Sequence, residues 1–224
     1  MNIQTILTAA ISLGVMGLVF GAILAYASQK FAVEIDPRVS AVRDAVPGAN
    51  CGACGFPGCD GFANAVVKGT APVNGCPVGG ADCAKAIGII MGLDAGETIK
   101  RVAKVKCEGH EENCQNRYDY DGLESCVAAN MLNGGPKKCL FGCMGLGSCV
   151  QVCPFDAIFI NDKHLAEVDP EKCTACNKCI EICPKAVIDL VPYSQLTIVA
   201  CNNKEKGPQV KKNCSVACIA CGIC

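Results

Sequence analysis

The residues with the most chemistry to offer are cysteines, 21 of them in a chain of 224 residues. The densest run is Cys173-x2-Cys176-x2-Cys179-x3-Cys183, followed by Pro184. Thiols three apart are poorly placed to pair with each other, but three thiolates at that spacing wrap one iron–sulfur cluster. An exported disulfide scaffold would show an even cysteine count and irregular gaps. Here the count is odd and the gaps are short and repeated.

A second run, Cys139-x3-Cys143-x5-Cys149-x3-Cys153-Pro154, ends the same way but opens with wider gaps. Residues 173–184 have the bacterial ferredoxin spacing, in which the fourth cysteine of each of two runs ligates the other run's cluster. On that rule Cys173, Cys176, Cys179 and Cys153 hold one [4Fe–4S] cluster, and Cys139, Cys143, Cys149 and Cys183 hold a second. Between the runs, 157–160 and 165–168 read as short strands around a turn at Asn161-Asp162. Ala186–Leu190 reads as the matching strand after the second run. Gly142, Gly145 and Gly147 bear a weak likeness to a nucleotide loop, but cysteines fill the intervals and cluster wrapping explains them better.

A third set stands earlier, Cys51-x2-Cys54-x4-Cys59-x16-Cys76. Gly52, Gly55 and Gly58 let that loop turn sharply and bring amides near the sulfurs, which favours an anionic cluster. A four-cysteine zinc site is the competing reading, disfavoured by the x4 gap and the glycines. Residues 60–69 read as a short helix ended by Gly69, and 81–92 as another. On the latter a lone Cys83 suits buried packing.

The spacing Cys126-x12-Cys139-x3-Cys143-x5-Cys149 recurs 75 residues on as Cys201-x12-Cys214-x3-Cys218-x5-Cys224. This is a duplicated unit. Its second copy carries a plain C-x2-C-x2-C at Cys218, Cys221 and Cys224 and then stops, so the sequence is expected to be a fragment continuing into a further module. Cys107 and Cys114, with Cys126, either bind another cluster through a borrowed ligand or are free thiols. His110 between the first two is expected to be a solvated loop residue rather than a ligand.

These sites must be carried by small elements. Trp is absent and aromatics make up 5% of the chain, so a conventional core would be thin and cluster ligation must replace missing burial. The expected fold is α+β: a four-cysteine domain and a two-cluster ferredoxin-like module behind one N-terminal transmembrane helix. The expected boundaries are 1–29 for the anchor, 30–100 for the four-cysteine domain, 101–138 for a cysteine-bearing insert, 139–192 for the ferredoxin-like module and 193–224 for the start of a second one. Ile3 to Gln29 carry no charge, and about 25 helical residues span roughly 37 Å, enough to cross a bilayer. Lys30, Arg38 and Arg43 follow the span, which puts the amino terminus outside and the iron–sulfur domains in the cytoplasm. Ala25-Tyr26-Ala27 resembles a signal cleavage site, but there is no basic n-region and the apolar stretch is too long. Gly17-x3-Gly21 is equally a helix-packing face or two glycines of the kind common in membrane helices. The net charge of −1 gives no case for nucleic acid.

The apolar anchor, the linker beginning Phe31-Ala-Val-Glu34, the CGACGFPGC loop with its distant Cys76 and the ferredoxin pair occur here in one order. Together they resemble the B subunit of the Rnf complex, an ion-pumping ferredoxin–NAD oxidoreductase. The resemblance covers roughly residues 1–95 and 139–190. It implies a protein that takes electrons from soluble ferredoxin and relays them to membrane partners, with flavin and NAD chemistry on other subunits. It also implies cluster ligands at Cys51, Cys54, Cys59 and Cys76 and at the eight cysteines of the ferredoxin runs. The widened first run, the insert and the duplicated tail depart from the family pattern and suggest a longer, clostridia-like variant with at least three clusters.

The leading expectation is therefore an electron-relay component whose catalysis belongs to the assembly, since no acid–base pair or substrate pocket is legible. An alternative within that class is the iron–sulfur component of another membrane redox complex. A radical enzyme would need a cluster with three protein ligands. Its C-x3-C-x2-C pattern occurs at Cys214, Cys218 and Cys221 but coincides with the repeat. A zinc-based binding module conflicts with the ferredoxin runs.

Overall fold

A computed structural model describes residues 3–31 and 36–223. Linker residues 32–35 and Cys224, a proposed ligand of the tail run, lie outside that range. The chain divides into two compact units, Met1–Pro37 and Arg38–Cys224.

The first unit is the helix α1, Ile3–Lys30. Its segment Ala10–Lys30 has a mean hydropathy of 2.1 and none of it is buried, with Leu13, Leu18 and Leu24 among its exposed apolar residues. By length and composition it can cross a membrane, and an unburied apolar helix needs a non-aqueous surround.

The second unit begins with three short helices, α2 (Pro37–Ala45), α3 (Gly58–Val67) and α4 (Gly80–Met91). They bury Val42, Phe62, Val66 and Ile87 in a core of their own. Gly69 closes α3 with φ +72°, where Thr70 and Ala71 donate to the Ala65 carbonyl at 2.8 and 3.2 Å.

Strand β1, Arg101–Val105, leads into the cluster region, followed by α5 (Cys126–Met131) and α6 (Ser148–Gln151). Then come β2 (Ile158–Ile160), β3 (Ala166–Val168), α7 (Lys178–Glu181) and β4 (Ile188–Pro192), and a 3-10 turn at Pro208–Lys212. β2 and β3 form an antiparallel hairpin with Ile158 opposite Val168. Its turn is held by the Asn161 carboxamide oxygen, which accepts from the Lys163 and Leu165 amides, each at 3.1 Å.

β4 is the strand expected after the second run, two residues later than expected, and it does not join this hairpin. It pairs antiparallel with β1, Val105 opposite Ile188 and Arg101 opposite Pro192. The physical reason is burial: Val102 and Ala103 are both buried, so β1 is covered on both faces and its backbone needs a partner strand. β1 lies in the segment expected as an insert, yet it is built into the ferredoxin-like module, whose core joins Ala103 to Ile158, Leu165, Val187 and Ile188.

The two cysteine runs share one backbone trace at an offset of 30 residues. Gly145, Gly147 and Asp156 have positive φ, and so do Ala175, Asn177 and Ala186. At an offset of 75 residues from the first run, Ala220 and Gly222 repeat the same signature in the tail.

Candidate metal centres

Three compact cavities of about 340, 350 and 360 Å³ are each lined by at least four cysteines. The largest is bounded by Cys153, Cys173, Cys176 and Cys179. These are the four residues that the crossed-run rule groups together. Cys153 arrives from the other run because Pro154 ends its loop, and two backbone amides address the sulfurs. Ala103 N donates to Cys173 Sγ at 3.3 Å and Ala157 N to Cys153 Sγ at 3.4 Å. Burial pushes the Cys179 thiol up to about 12, with the charges of Cys173, Cys176 and Cys153 adding to it.

The smallest cavity is bounded by Cys126, Cys143, Cys149 and Cys183. Cys143, Cys149 and Cys183 were expected together, but Cys139 stands elsewhere and Cys126 takes its place. Matching the two runs at their Cys-Pro ends gives the reason. Cys143 falls opposite Cys173 and Cys149 opposite Cys179, while the residue opposite Cys176 is Leu146. A thiol from the start of α5, Cys126, lines the cavity in that place, and its amide donates to Ser148 Oγ at 2.7 Å. Ser125 caps α5, its hydroxyl accepting from Ala128 N at 3.4 Å. The Cys149 thiol is pushed up to about 12 by burial and by Cys143, Cys126, Cys183 and Cys179. Lys185 lines this cavity, its ammonium donating to the Gly134 and Leu140 carbonyls at 2.5 and 2.8 Å, and burial lowers its pKa.

In the first domain Cys54, Cys59 and Cys76 pack against the helical core. The Asn50 side chain anchors the loop by accepting from Cys59 N at 2.8 Å. Cys83 is buried, as expected, but it also hydrogen-bonds Cys76 and thereby lowers that thiol to about 6, while its own is raised. Gly79 N adds a bond to Cys76 Sγ at 3.4 Å. Cys51 lies where its charge reaches Cys176 of the neighbouring set.

The third cavity is lined by Cys107, Cys114, Cys139, Cys201 and Cys214. Burial raises Cys139, with Cys114 and Cys107 adding to it, and pushes Cys214 to about 11, with Cys114, Cys139 and Cys107 adding to it. His110 does not line this cavity; its ring lies 2.8 Å from Asn113 Nδ2. In the tail, Ala220 N donates to Cys218 Sγ at 3.4 Å and Cys221 is exposed.

The donor chemistry fits iron–sulfur clusters. The cysteines described are free thiols, and the sulfurs of Cys76, Cys173 and Cys153 accept backbone amides. A tetrahedral zinc with bonds of about 2.3 Å would draw its sulfurs to within about 3.8 Å of one another. Among the described residues no three Cys, His, Asp or Glu side chains converge on a single ion.

Comparison with known proteins agrees with this chemistry. A family model described as "Putative Fe-S cluster" matches residues 46–78, and one described as "4Fe-4S dicluster domain" matches 141–190. The chain is 52% identical over 206 residues to the B subunit of the Na(+)-translocating ferredoxin:NAD(+) oxidoreductase complex of Acetobacterium woodii, covering 92% of this chain and 62% of the relative. It is 40% identical over 209 residues to the B subunit of the ion-translocating oxidoreductase complex of Methanosarcina acetivorans, covering 93% of this chain and 79% of the relative. It is 40% identical over 216 residues to the B subunit of the proton-translocating ferredoxin:NAD(+) oxidoreductase complex of Clostridium ljungdahlii, covering 96% and 76%. The chain thus spans about three-fifths of the Acetobacterium relative's length. With relatives 40% identical covered to 79% and 76% of their length, the chain belongs to the B-subunit family of Rnf-type, ion-translocating oxidoreductase complexes.

Proposed function

We propose that this chain is the membrane-anchored electron relay of an ion-pumping ferredoxin–NAD oxidoreductase, accepting electrons from reduced soluble ferredoxin and passing them to other subunits of the complex. The single observation that carries this reading is the adjacency of the thiol sets. Cys143, Cys149, Cys153, Cys173, Cys179 and Cys183 share one core, and the charge of Cys51 reaches Cys176, so each four-cysteine set neighbours the next. The ligand sets are Cys51, Cys54, Cys59 and Cys76; Cys153, Cys173, Cys176 and Cys179; and Cys126, Cys143, Cys149 and Cys183. Cys218, Cys221 and Cys224 form the opening of a further set, supported by the positive φ of Ala220 and Gly222.

When bound, [4Fe–4S] clusters supply one-electron redox capacity. The protein's part is to hold them close together, exclude water and tune them. Backbone amides aimed at sulfur and the ammonium of Lys185 favour the reduced, more negative state. The chain carries no substrate chemistry of its own; the NAD reaction belongs to the assembly. α1 anchors the chain in the bilayer with its amino terminus outside, and the positive charges after the span keep the cysteine domains in the cytoplasm, where thiols stay reduced.

The test is anaerobic reduction of the membrane-bound protein by reduced ferredoxin, followed by EPR. Rapid appearance of [4Fe–4S] signals supports the relay; clusters that respond to dithionite but not to ferredoxin refute the proposed donor. Reporters fused after residue 35 and at the carboxyl end should be active only on the cytoplasmic side.

A further inference from the structure

The third cavity belongs to none of these sets and lies largely outside the segments that the family models match. We infer that Cys107, Cys114, Cys139 and Cys214 bind an additional [4Fe–4S] cluster, which staples the segment after β1 and the tail to the ferredoxin-like module. The inference rests on the iron–sulfur reading of the chain and extends it to a fourth set.

Four observations carry it. The cavity is small and cysteine-lined like the two ferredoxin-type cavities. Its cysteines lie close together: a Cβ on Gly142 would lie 3.6 Å from the sulfurs of both Cys107 and Cys139. A Cβ on Gly109 would lie 3.5 Å from that of Cys214 and 3.6 Å from that of Cys107. The sulfurs are addressed as cluster sulfurs are, with Gly109 N and Cys143 N donating to Cys107 Sγ at 3.4 and 3.3 Å. Finally, the segment has almost no apolar core to hold it. Its buried cluster is Cys114, Val210, Cys214 and Ala217, with Cys139 packed against it. Half of that small core is thiol, so ligation must supply what burial does not.

Cys201 also lines the cavity, and its backbone bridges that of Cys107, but its sulfur is turned to the tail loop. Cys218 N donates to it at 3.3 Å and Asn203 N at 3.5 Å. The Cys218 amide ties Cys201 Sγ to the tail run rather than to this set, so Cys201 is the internal control for this cavity. A single zinc ion would need its thiolates gathered at about 2.3 Å from one centre, and among the described residues no three Cys, His, Asp or Glu side chains are so placed. The site adjoins the Cys126 set through Cys143, whose amide donates to Cys107 Sγ, and the tail loop through Cys201.

The experiment uses the full chain purified anaerobically, with Cys114→Ser, Cys214→Ser, Cys107→Ser and Cys201→Ser compared by iron, zinc and acid-labile sulfide content and by EPR. Each of the first three should lose about four iron and four sulfide per chain, or convert one cluster to a three-iron form, while the other signals persist. Cys201→Ser should keep the parent content. Should the deeply buried Cys114→Ser fail to fold, the half-buried Cys107→Ser carries the same test. Unchanged iron in Cys107→Ser and Cys214→Ser overturns the proposal, as does one zinc in place of a cluster. Loss in Cys201→Ser with retention in Cys107→Ser overturns the assigned ligand set. A parent protein without iron and sulfide would instead sink the iron–sulfur reading itself.

Discussion

Gly145 offers a quantitative test of how the first ferredoxin run is held. Its φ is +76°, and a Cβ there would run into the His164 carbonyl oxygen at the hairpin turn, well under the 3.0 Å that real Cβ contacts respect. Gly147, in the same loop, has φ +74° but meets only Ile160 Cγ1 at 3.9 Å. Placing alanine at left-handed φ costs about 1–2 kcal/mol, and stiffening the unfolded chain returns about 0.4–1 kcal/mol at either site. Gly145→Ala adds the clash with a backbone atom that cannot rotate away, about 1–3 kcal/mol by analogy with overpacked cores. The difference between the two variants should then be about 1–3 kcal/mol, or roughly 5- to 150-fold in rate. Because cluster loss is irreversible, the observable is the rate at which iron is released to a chelator at fixed denaturant, with EPR identifying the site emptied first. Gly145→Ala should release the Cys126/Cys143/Cys149/Cys183 cluster that much faster than Gly147→Ala. Equal rates would refute the claim that the His164 turn fixes this loop.

Cys126→Ser should perturb the cluster of Cys143, Cys149 and Cys183, whereas Cys139→Ser should leave it; EPR showing the reverse would restore the ligand set expected from spacing alone. Cys153→Ala should disturb the cluster of Cys173, Cys176 and Cys179 and Cys183→Ala that of Cys143 and Cys149, so a loss confined to each residue's own run would contradict crossed ligation. Cys59→Ala should remove the first domain's cluster and loosen its helices while the ferredoxin-type signals persist, since that domain has its own core; equal iron loss from both regions would argue against separate folding. In iron-free protein at pH 7, Cys76 should alkylate before Cys149 and Cys179, because its thiolate persists down to about pH 6 whereas burial holds theirs up at about 12. Cys83→Ala removes the hydrogen bond that lowers Cys76, so its alkylation should then require higher pH.

The parts of this protein whose physics is local were legible in the order of its residues. An uncharged run of apolar residues specifies a membrane-competent helix whatever follows it, and α1 has that form. A repeated thiol spacing specifies the turns of a cluster loop, which is why the two runs keep the same positive-φ positions 30 residues apart. The short helices 58–67 and 80–91 could be read for the same reason, within two residues of their observed bounds, the first through its stop at Gly69. Which distant residues complete each set emerges only in the folded chain. The widened gaps of the first run were visible in the sequence, but nothing local brings a thiol from the start of α5 to that run. The Ser148 hydroxyl on the Cys126 amide does that, over a separation of 22 residues. The pairing of β4 with β1 was hidden because a five-residue strand does not name its partner; burial on both faces of Val102 and Ala103 does. The convergence of Cys107, Cys114, Cys139 and Cys214 joins residues up to 107 positions apart, and their spacings carry no local signature. Chain spacing sets what one loop can wrap, and only the folded path brings together ligands that no single loop holds.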